Sequence, residues 1–348
     1  MKSFNKKYLE KIKLTPGLIK SIRSIGEFKG KQDLYKIQSP QLLKALKQTA
    51  IIQSTESSNR IEGITAPFGI IKDIVENKVK PSNRSEQEIA GYRDVLNTIH
   101  ISYKDIPVTE NIVLQFHRQL YSFTGEQGGR WKMTDNEITE TSSDGKVLIR
   151  FKAVPAFQTA DYMMELHSRY NEEIKNNIYD PLILIPAYIL DFLCIHPFRD
   201  GNGRMSRLLT LLLLYHCSIE VGRYISLEKI IEDSKETYYE ALFKSSKKWH
   251  EGKHNIIPWL EYFYGMILSA YKEFESRAGM IASAKGAKTN LVMDMIDKTN
   301  SDFSISDLIK KCPSVSIDMI RKIINDEKKK GKLKPIGFGR DAKWRKVK

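Results

Sequence analysis

Cysteine is scarce in this chain of 348 residues: Cys194, Cys217 and Cys312 are odd in number, widely spaced and without a CxxC pair. They exclude a disulfide framework and a cysteine-rich zinc site, and they fit a reducing, cytoplasmic compartment. Long apolar runs are lacking too. The most apolar stretch, around Leu208 to Leu214, falls far short of the roughly 20 residues of a membrane span. The opening MKSFNKKYLEKIKL alternates charge with apolar residues and lacks the apolar segment of a signal peptide, so no membrane partner is expected. Glycine and proline are few, and there is no internal repeat. What remains, 41% hydrophobic and 28% charged residues, is the make-up of a globular protein with a sizeable core.

Acidic charge is the sign in deficit. The net charge is +14, and about +8 of it falls between Gly286 and the end. The rest is only mildly basic, as suits a protein that binds a nucleotide rather than one wrapped in nucleic acid.

Helical spacing dominates what is present. Leu42, Leu43, Leu46 and Ala50 share a face, as do Ile112, Leu114, Phe116 and Leu120 within a broader stripe. One stretch departs from it. Between Gly128 and Pro155, two strand-like pieces, Asn136–Thr141 and Lys146–Phe151, flank the turn signal Asp144-Gly145, which predicts one β-hairpin in a helical domain. Helices are predicted at Thr159–Asn171, Pro181–Ile195, from Asn202 or Gly203 to Cys217, near Asp233–Trp249, and at Ile256–Ala278. Ala282–Gly286 reads as a linker. Beyond it, helices at Thr289–Lys298, Ser304–Lys311 and Ser316–Lys329 precede a strand pair in Gly331–Lys346 with Gly337 and Gly339 at its tip. Ser304 and Ser316 sit at capping positions. The order is that of a winged helix-turn-helix. The expected fold is therefore mainly α, a helical core with one hairpin, followed by that small domain.

The chemistry concentrates in His196-Pro-Phe-Arg-Asp-Gly-Asn-Gly-Arg-Met-Ser-Arg207. Gly201, Asn202 and Gly203 let the backbone turn its N–H groups inward at a helix N-terminus, where an anion is favoured. Arg204 and Arg207, three apart on the first turn, can reach one phosphate cluster. Asp200 offers a hard oxygen for Mg²⁺. His196 follows a buried helix, precedes a proline and titrates near neutrality, so it can take a proton from an attacking hydroxyl. Taken singly, each residue is unremarkable, and the leucines that follow are core. Together within twelve positions they are a phosphoryl- or nucleotidyl-transfer site.

This segment resembles the signature of the Fic family, His-Pro-Phe-x-Asp/Glu-Gly-Asn-Gly-Arg-x-x-Arg, at every fixed position. The resemblance implies a protein adenylyltransferase using ATP with Mg²⁺, which transfers AMP to a Ser, Thr or Tyr hydroxyl and releases pyrophosphate. His196 would be the base and Asp200 the metal ligand. ATP would be held by Gly201, Asn202, Gly203, Arg204, Met205, Ser206 and Arg207, with the arginines on the β- and γ-phosphates. The hairpin would be a flap aligning the target backbone. Lys235-Glu-Thr-Tyr-Tyr-Glu-Ala-Leu resembles the segment whose tyrosine lies beside the adenine, and Tyr238 is preferred to Tyr239.

A second motif, Ser58-Asn-Arg-Ile-Glu62-Gly63, resembles the family's inhibitory motif in the subgroup that carries it before the core. It implies that Glu62 pairs with Arg207 and keeps ATP from its reactive pose, with self-modification once the pair is broken. In some relatives the same glutamate serves the reverse reaction, removal of AMP. The expected division is an N-terminal region to residue 100, a core over 101–281 and a winged-helix-like domain over 287–348. The Lys328-Lys329-Lys330 run with Lys332 and Lys334 keeps DNA open as a partner, and with it a DNA-binding regulator that senses nucleotide; a homodimer stays open as well. His250 and His254 have zinc-ligand spacing, but no third ligand follows.

Overall fold

Apolar residues recurring every three or four positions favour helix along most of this chain, and the computed structural model is mainly α-helical with few strands. It describes residues 1–38, 40–141, 147–282, 287–299, 302–312, 315–337 and 342–347. In chain order come α1 (Lys6–Leu9), α2 (Pro16–Gln38), α3 (Pro40–Ile61), α4 (Phe68–Val75), α5 (Arg84–Ser102) and α6 (Glu110–Leu120). The hairpin strands β1 (Glu137–Thr141) and β2 (Val147–Lys152) follow, then α7 (Thr159–Asn176), α8 (Pro181–Ile195) and α9 (Asn202–His216). Next are α10 (Leu227–Asp233), α11 (Lys235–Ser246), α12 (Ile257–Ala282) and α13 (Ala287–Lys298). The last elements are β3 (Phe303–Ser304), α14 (Ile305–Lys311), α15 (Ile317–Lys329), β4 (Leu333–Ile336) and β5 (Lys343–Lys346).

Two units can be separated: Met1–Lys29 with Leu46–Tyr271, and Gly30–Ala45 with Lys272–Lys348.

In the first unit α8 and α9 form the centre. Nearly every side chain of α8 is buried, and α9 is buried from Arg204 to Tyr215. Asp180 caps α8 through Leu182 N–H, and Pro181 takes the first-turn position where no N–H is missed. Pro186 lies inside α8 and frees the Leu182 carbonyl, which accepts a 2.9 Å hydrogen bond from Tyr264 of α12 instead. The Pro186 carbonyl accepts one from Trp259 Nε1 at 2.9 Å. A broken helical ladder is thus repaired by α12. Close packing of α5 on α6 depends on Gly91, where a Cβ would strike the Leu120 carbonyl.

The hairpin is antiparallel, with a register shift between Ile138 and Thr139. Its turn, Asp144-Gly145, lies outside the described residues, as do 283–286 of the expected linker and Gly339. The helix expected near Asp233–Trp249 is α11, which begins after Ser234 and stops at Ser246.

The second unit gathers Val292, Ile296, Phe303, Leu308, Ile320, Ile324, Leu333 and Trp344 into its own core. Ser304 and Asp307 form a reciprocal capping box on α14, and Ser316 caps α15. Its sheet has the order β3-β5-β4, so a third strand, β3, joins the expected pair. Two residues are too short to register as a strand by alternation.

Candidate nucleotide site

The loop between α8 and α9 is a backbone device. His196 precedes a proline, which disfavours the right-handed helical region, and it adopts the left-handed one (φ 51°, ψ 61°), ending α8. Gly201 (φ 80°) then opens α9. Asn202 closes the loop on itself: its Oδ1 accepts the Phe198 N–H at 2.9 Å and its Nδ2 donates to the Phe198 carbonyl at 2.8 Å. Both ends of the amide are engaged and the residue is buried, so the Asn202 side chain shapes the loop.

His196 is partly buried. Its Nδ1 lies 3.3 Å from the Leu193 carbonyl, an acceptor only, so Nδ1 carries the proton and Nε2 keeps the lone pair. Burial pushes the imidazole pKa down to about 4, the Leu193 contact opposes that, and the nearby Lys132 ammonium adds to it. Lys132 itself is held by burial at about 8, against the pull of Asp135. It donates to Asn136 Oδ1 at 2.7 Å and to the Ile195 carbonyl at 3.0 Å, capping the end of α8.

Asp200 has a well-exposed side chain, 63% accessible, yet both its oxygens are held. Tyr121 O–H donates to Oδ2 at 2.8 Å and Gly201 N–H to Oδ1 at 2.7 Å. Burial of the carboxyl is outweighed by these bonds and by Arg204 and Arg84, so its pKa lies below the usual carboxylate value. A rigid, ionised carboxylate open to solvent beside a helix N-terminus fits a Mg²⁺ ligand.

Arg204 is enclosed. It is 1% exposed, donates to Glu88 Oε2 at 2.6 Å and to Tyr121 Oη at 2.9 Å, and lies 3.5 Å from Asp200. A guanidinium so enclosed braces Tyr121 and Asp200. Met205 is fully buried and its N–H already donates to the Gly201 carbonyl; Ser206 is buried and donates to the Gly203 carbonyl at 2.8 Å.

Arg207 and Glu62 come together across 145 residues of sequence, with Arg207 donating to Glu62 Oε1 at 2.7 Å. Ser58 completes the clasp: its Oγ accepts from Arg207 Nε and its carbonyl from NH2, each at 2.8 Å. Local structure places the glutamate. The Gly63 N–H bonds the Arg60 carbonyl and the Ile64 N–H the Asn59 carbonyl, a Schellman end with Gly63 at φ 80°. A carboxylate at a helix C-terminus opposes the macrodipole, so Glu62 depends on its partner for stabilisation. It also overlies the first turn of α9, where a Cβ on Gly203 would collide with Glu62 Oε1. Burial lowers and Glu62 raises the Arg207 pKa, the net result being well above the ordinary arginine value.

Tyr238 is buried among Tyr239, Trp259 and Tyr262, near Ser206 and Arg207. The neighbouring Tyr239 is 43% exposed and lies close enough to Glu62 to feel its charge. Of the two rings beside the clasp, Tyr239 is the accessible one and Tyr238 the enclosed one. Sequence reasoning also missed Glu88, His117, Tyr121, Lys132 and Asn136. For two of them a signal existed: His117 and Tyr121 are four apart and share a helix face. His250 and His254 do not converge, since His250 donates to the Lys152 carbonyl at 2.7 Å and His254 faces Ser3 Oγ at 2.9 Å.

Comparison with known proteins points to the same segment. Residues 107–214, which span α6 to most of α9, match the model of the Fic/DOC family. It is 25% identical over 172 residues to "Protein adenylyltransferase Fic" of Nematostella vectensis, a match covering 48% of this chain and 38% of that relative. The chain thus spans under two fifths of the curated relative's length. A Fic family protein from Desulfovibrio desulfuricans G20 shares the fold over 97% of both chains, at 21% identity and a TM-score of 0.64. A Fic domain containing signaling protein from Bacteroides thetaiotaomicron VPI-5482 does so over 74% of this chain and 97% of its own, at 21% identity and a TM-score of 0.61. Among the described residues, no helix is long and apolar enough to cross a membrane.

Proposed function

We propose that this protein is an auto-inhibited protein adenylyltransferase. The observation that carries the reading is the Glu62 carboxylate lodged against Arg207 and over Gly203: the chain's own anion stands where a helix N-terminus and a guanidinium would receive a phosphate. With Glu62 displaced, the N–H groups that open α9 and the Arg207 guanidinium hold the ATP phosphates. His196 Nε2 takes the proton of the acceptor hydroxyl as its oxygen bonds the α-phosphorus. The bond from that phosphorus to the bridging oxygen breaks, and pyrophosphate leaves with the electron pair. Asp200 would hold Mg²⁺, which neutralises charge on the phosphates. The hairpin, beginning beside His196 where Asn136 donates to the Phe198 carbonyl, aligns the target segment by strand addition. Tyr239 offers a face for the adenine. Label from α-labelled ATP should enter protein in a cell lysate; specific operator binding with no label transfer would instead favour a nucleotide-sensing regulator.

The base assignment fixes a pH dependence. A histidine pushed down to about 4 is neutral, and competent, throughout the physiological range. The single-turnover labelling rate should therefore stay level down to about pH 5 and fall as His196 protonates near pH 4. A midpoint near the ordinary histidine value, about 6.5, would contradict the shielded base.

A second reading concerns the C-terminal unit, which we take as a winged-helix-like domain over 287–348. The β4–β5 register sets Lys334 directly opposite Arg345, and both are exposed. Like charges across a strand pair destabilise it, which suggests an anionic partner such as duplex DNA. Asp302, bonded twice to Arg345 at 2.7 Å, offsets part of that charge. The full chain should shift duplex DNA at low salt and lose it steeply as salt rises. Absence of any shift at low salt would leave this unit a protein-contact module.

A further inference from the structure

Two side chains of the α6 region hold the loop that carries Asp200, and neither belongs to the motif. Gly129 N–H donates to His117 Nδ1 at 2.8 Å. A backbone N–H can only donate, so Nδ1 is the acceptor and Nε2 bears the proton, which it gives to the Asp200 carbonyl 3.1 Å away. The His117 ring lies flat on Phe198, 3.7 Å between centroids and 1° between planes. The contact with Gly129 needs two glycines: a Cβ on Gly128 would strike the His117 carbonyl, and Gly129 sits at φ 79° against the Leu114 carbonyl. Tyr121 works on the carboxylate itself. An arginine can only donate, so Tyr121 Oη accepts from Arg204 and its one proton goes to Asp200 Oδ2. Glu88, 5% exposed, anchors Arg204 at the far end. The chain of bonds has one direction, Arg204 to Tyr121 to Asp200, and leaves the carboxylate fixed while its face stays open.

We infer that His117 and Tyr121 are positioning residues that preset Asp200 for a divalent cation, His117 through the loop backbone and Tyr121 through the carboxylate. The inference rests on the reading of Asp200 as the Mg²⁺ ligand. Partners of this kind, one bond behind the ligand, typically change metal affinity by about 10–100-fold when removed.

Calorimetric ATP binding in Mg²⁺ and in EDTA tests it, using full-length protein carrying Glu62→Gly so that the phosphate site is open. Tyr121→Phe and His117→Leu should each cut the gain in ATP affinity that Mg²⁺ confers by about 10–100-fold, and leave binding in EDTA as it was. His117→Gln, whose amide again supplies a donor and an acceptor, should recover much of the gain. Equal weakening with and without Mg²⁺ would mark a merely structural role and overturn the inference. So would an undiminished Mg²⁺ gain in Tyr121→Phe, the variant least able to disturb the fold. If the parent itself bound ATP equally well in EDTA, the Asp200 assignment would fail, and this inference with it.

Discussion

Replacing Glu62 by glycine is expected to raise self-labelling from α-labelled ATP by about 10–100-fold, because a charge-assisted contact of about 1.5–3 kcal/mol no longer competes for Arg207. The Ser58 contacts keep Arg207 in place, so the site is released rather than dismantled. Adding Arg207→Ala should cancel the gain, since the guanidinium that was freed is then gone. The pair must be non-additive, as groups in direct contact are. Serine contacts dock α3 as well: Ser54 donates to Glu228 at 2.7 Å and Ser57 to Glu232 at 2.8 Å. Loss of labelling in Glu62→Gly with a lowered melting temperature would show instead that the glutamate serves the fold.

Removing the imidazole should have the opposite effect. In the Glu62→Gly background, His196→Ala is expected to lower AMP transfer by about 10²–10⁴-fold, the usual range for a general base. Binding of Mg-ATP should survive, because Arg207 and the first turn of α9 do not depend on that ring. Calorimetry beside the labelling assay separates the two effects. Transfer at the parent rate would remove His196 from the mechanism.

The twelve residues from His196 to Arg207 mark the candidate site in the sequence because a loop and a helix N-terminus stand in one piece. Their division of labour was not legible. Arg204 and Arg207 look alike on a first turn, yet the partner that buries Arg204 is Glu88, 116 residues away, and that of Arg207 is Glu62, 145 away. No local pattern joins such pairs; only the family resemblance brought Glu62 forward. Tyr238 and Tyr239 are adjacent, and choosing between them requires the phase of α11. That phase is set by where the helix starts after Ser234, and a sequence fixes such a start only to within a residue or two. Helices α8 and α9 were read nearly to the residue, because Asp180-Pro181, His196-Pro197 and Gly201 punctuate them. Their packing was hidden for the same reason that they are central. Side chains buried on all sides carry no amphipathic stripe to show which neighbour they face.

The central claim, transfer of an adenylyl group by this site, is tested most directly by the intact mass of Glu62→Gly protein after incubation with ATP and Mg²⁺. The account predicts a gain of whole adenylyl groups, absent when His196→Ala is added. A gain of phosphoryl groups, or an unchanged mass in protein shown to bind Mg-ATP, would contradict it.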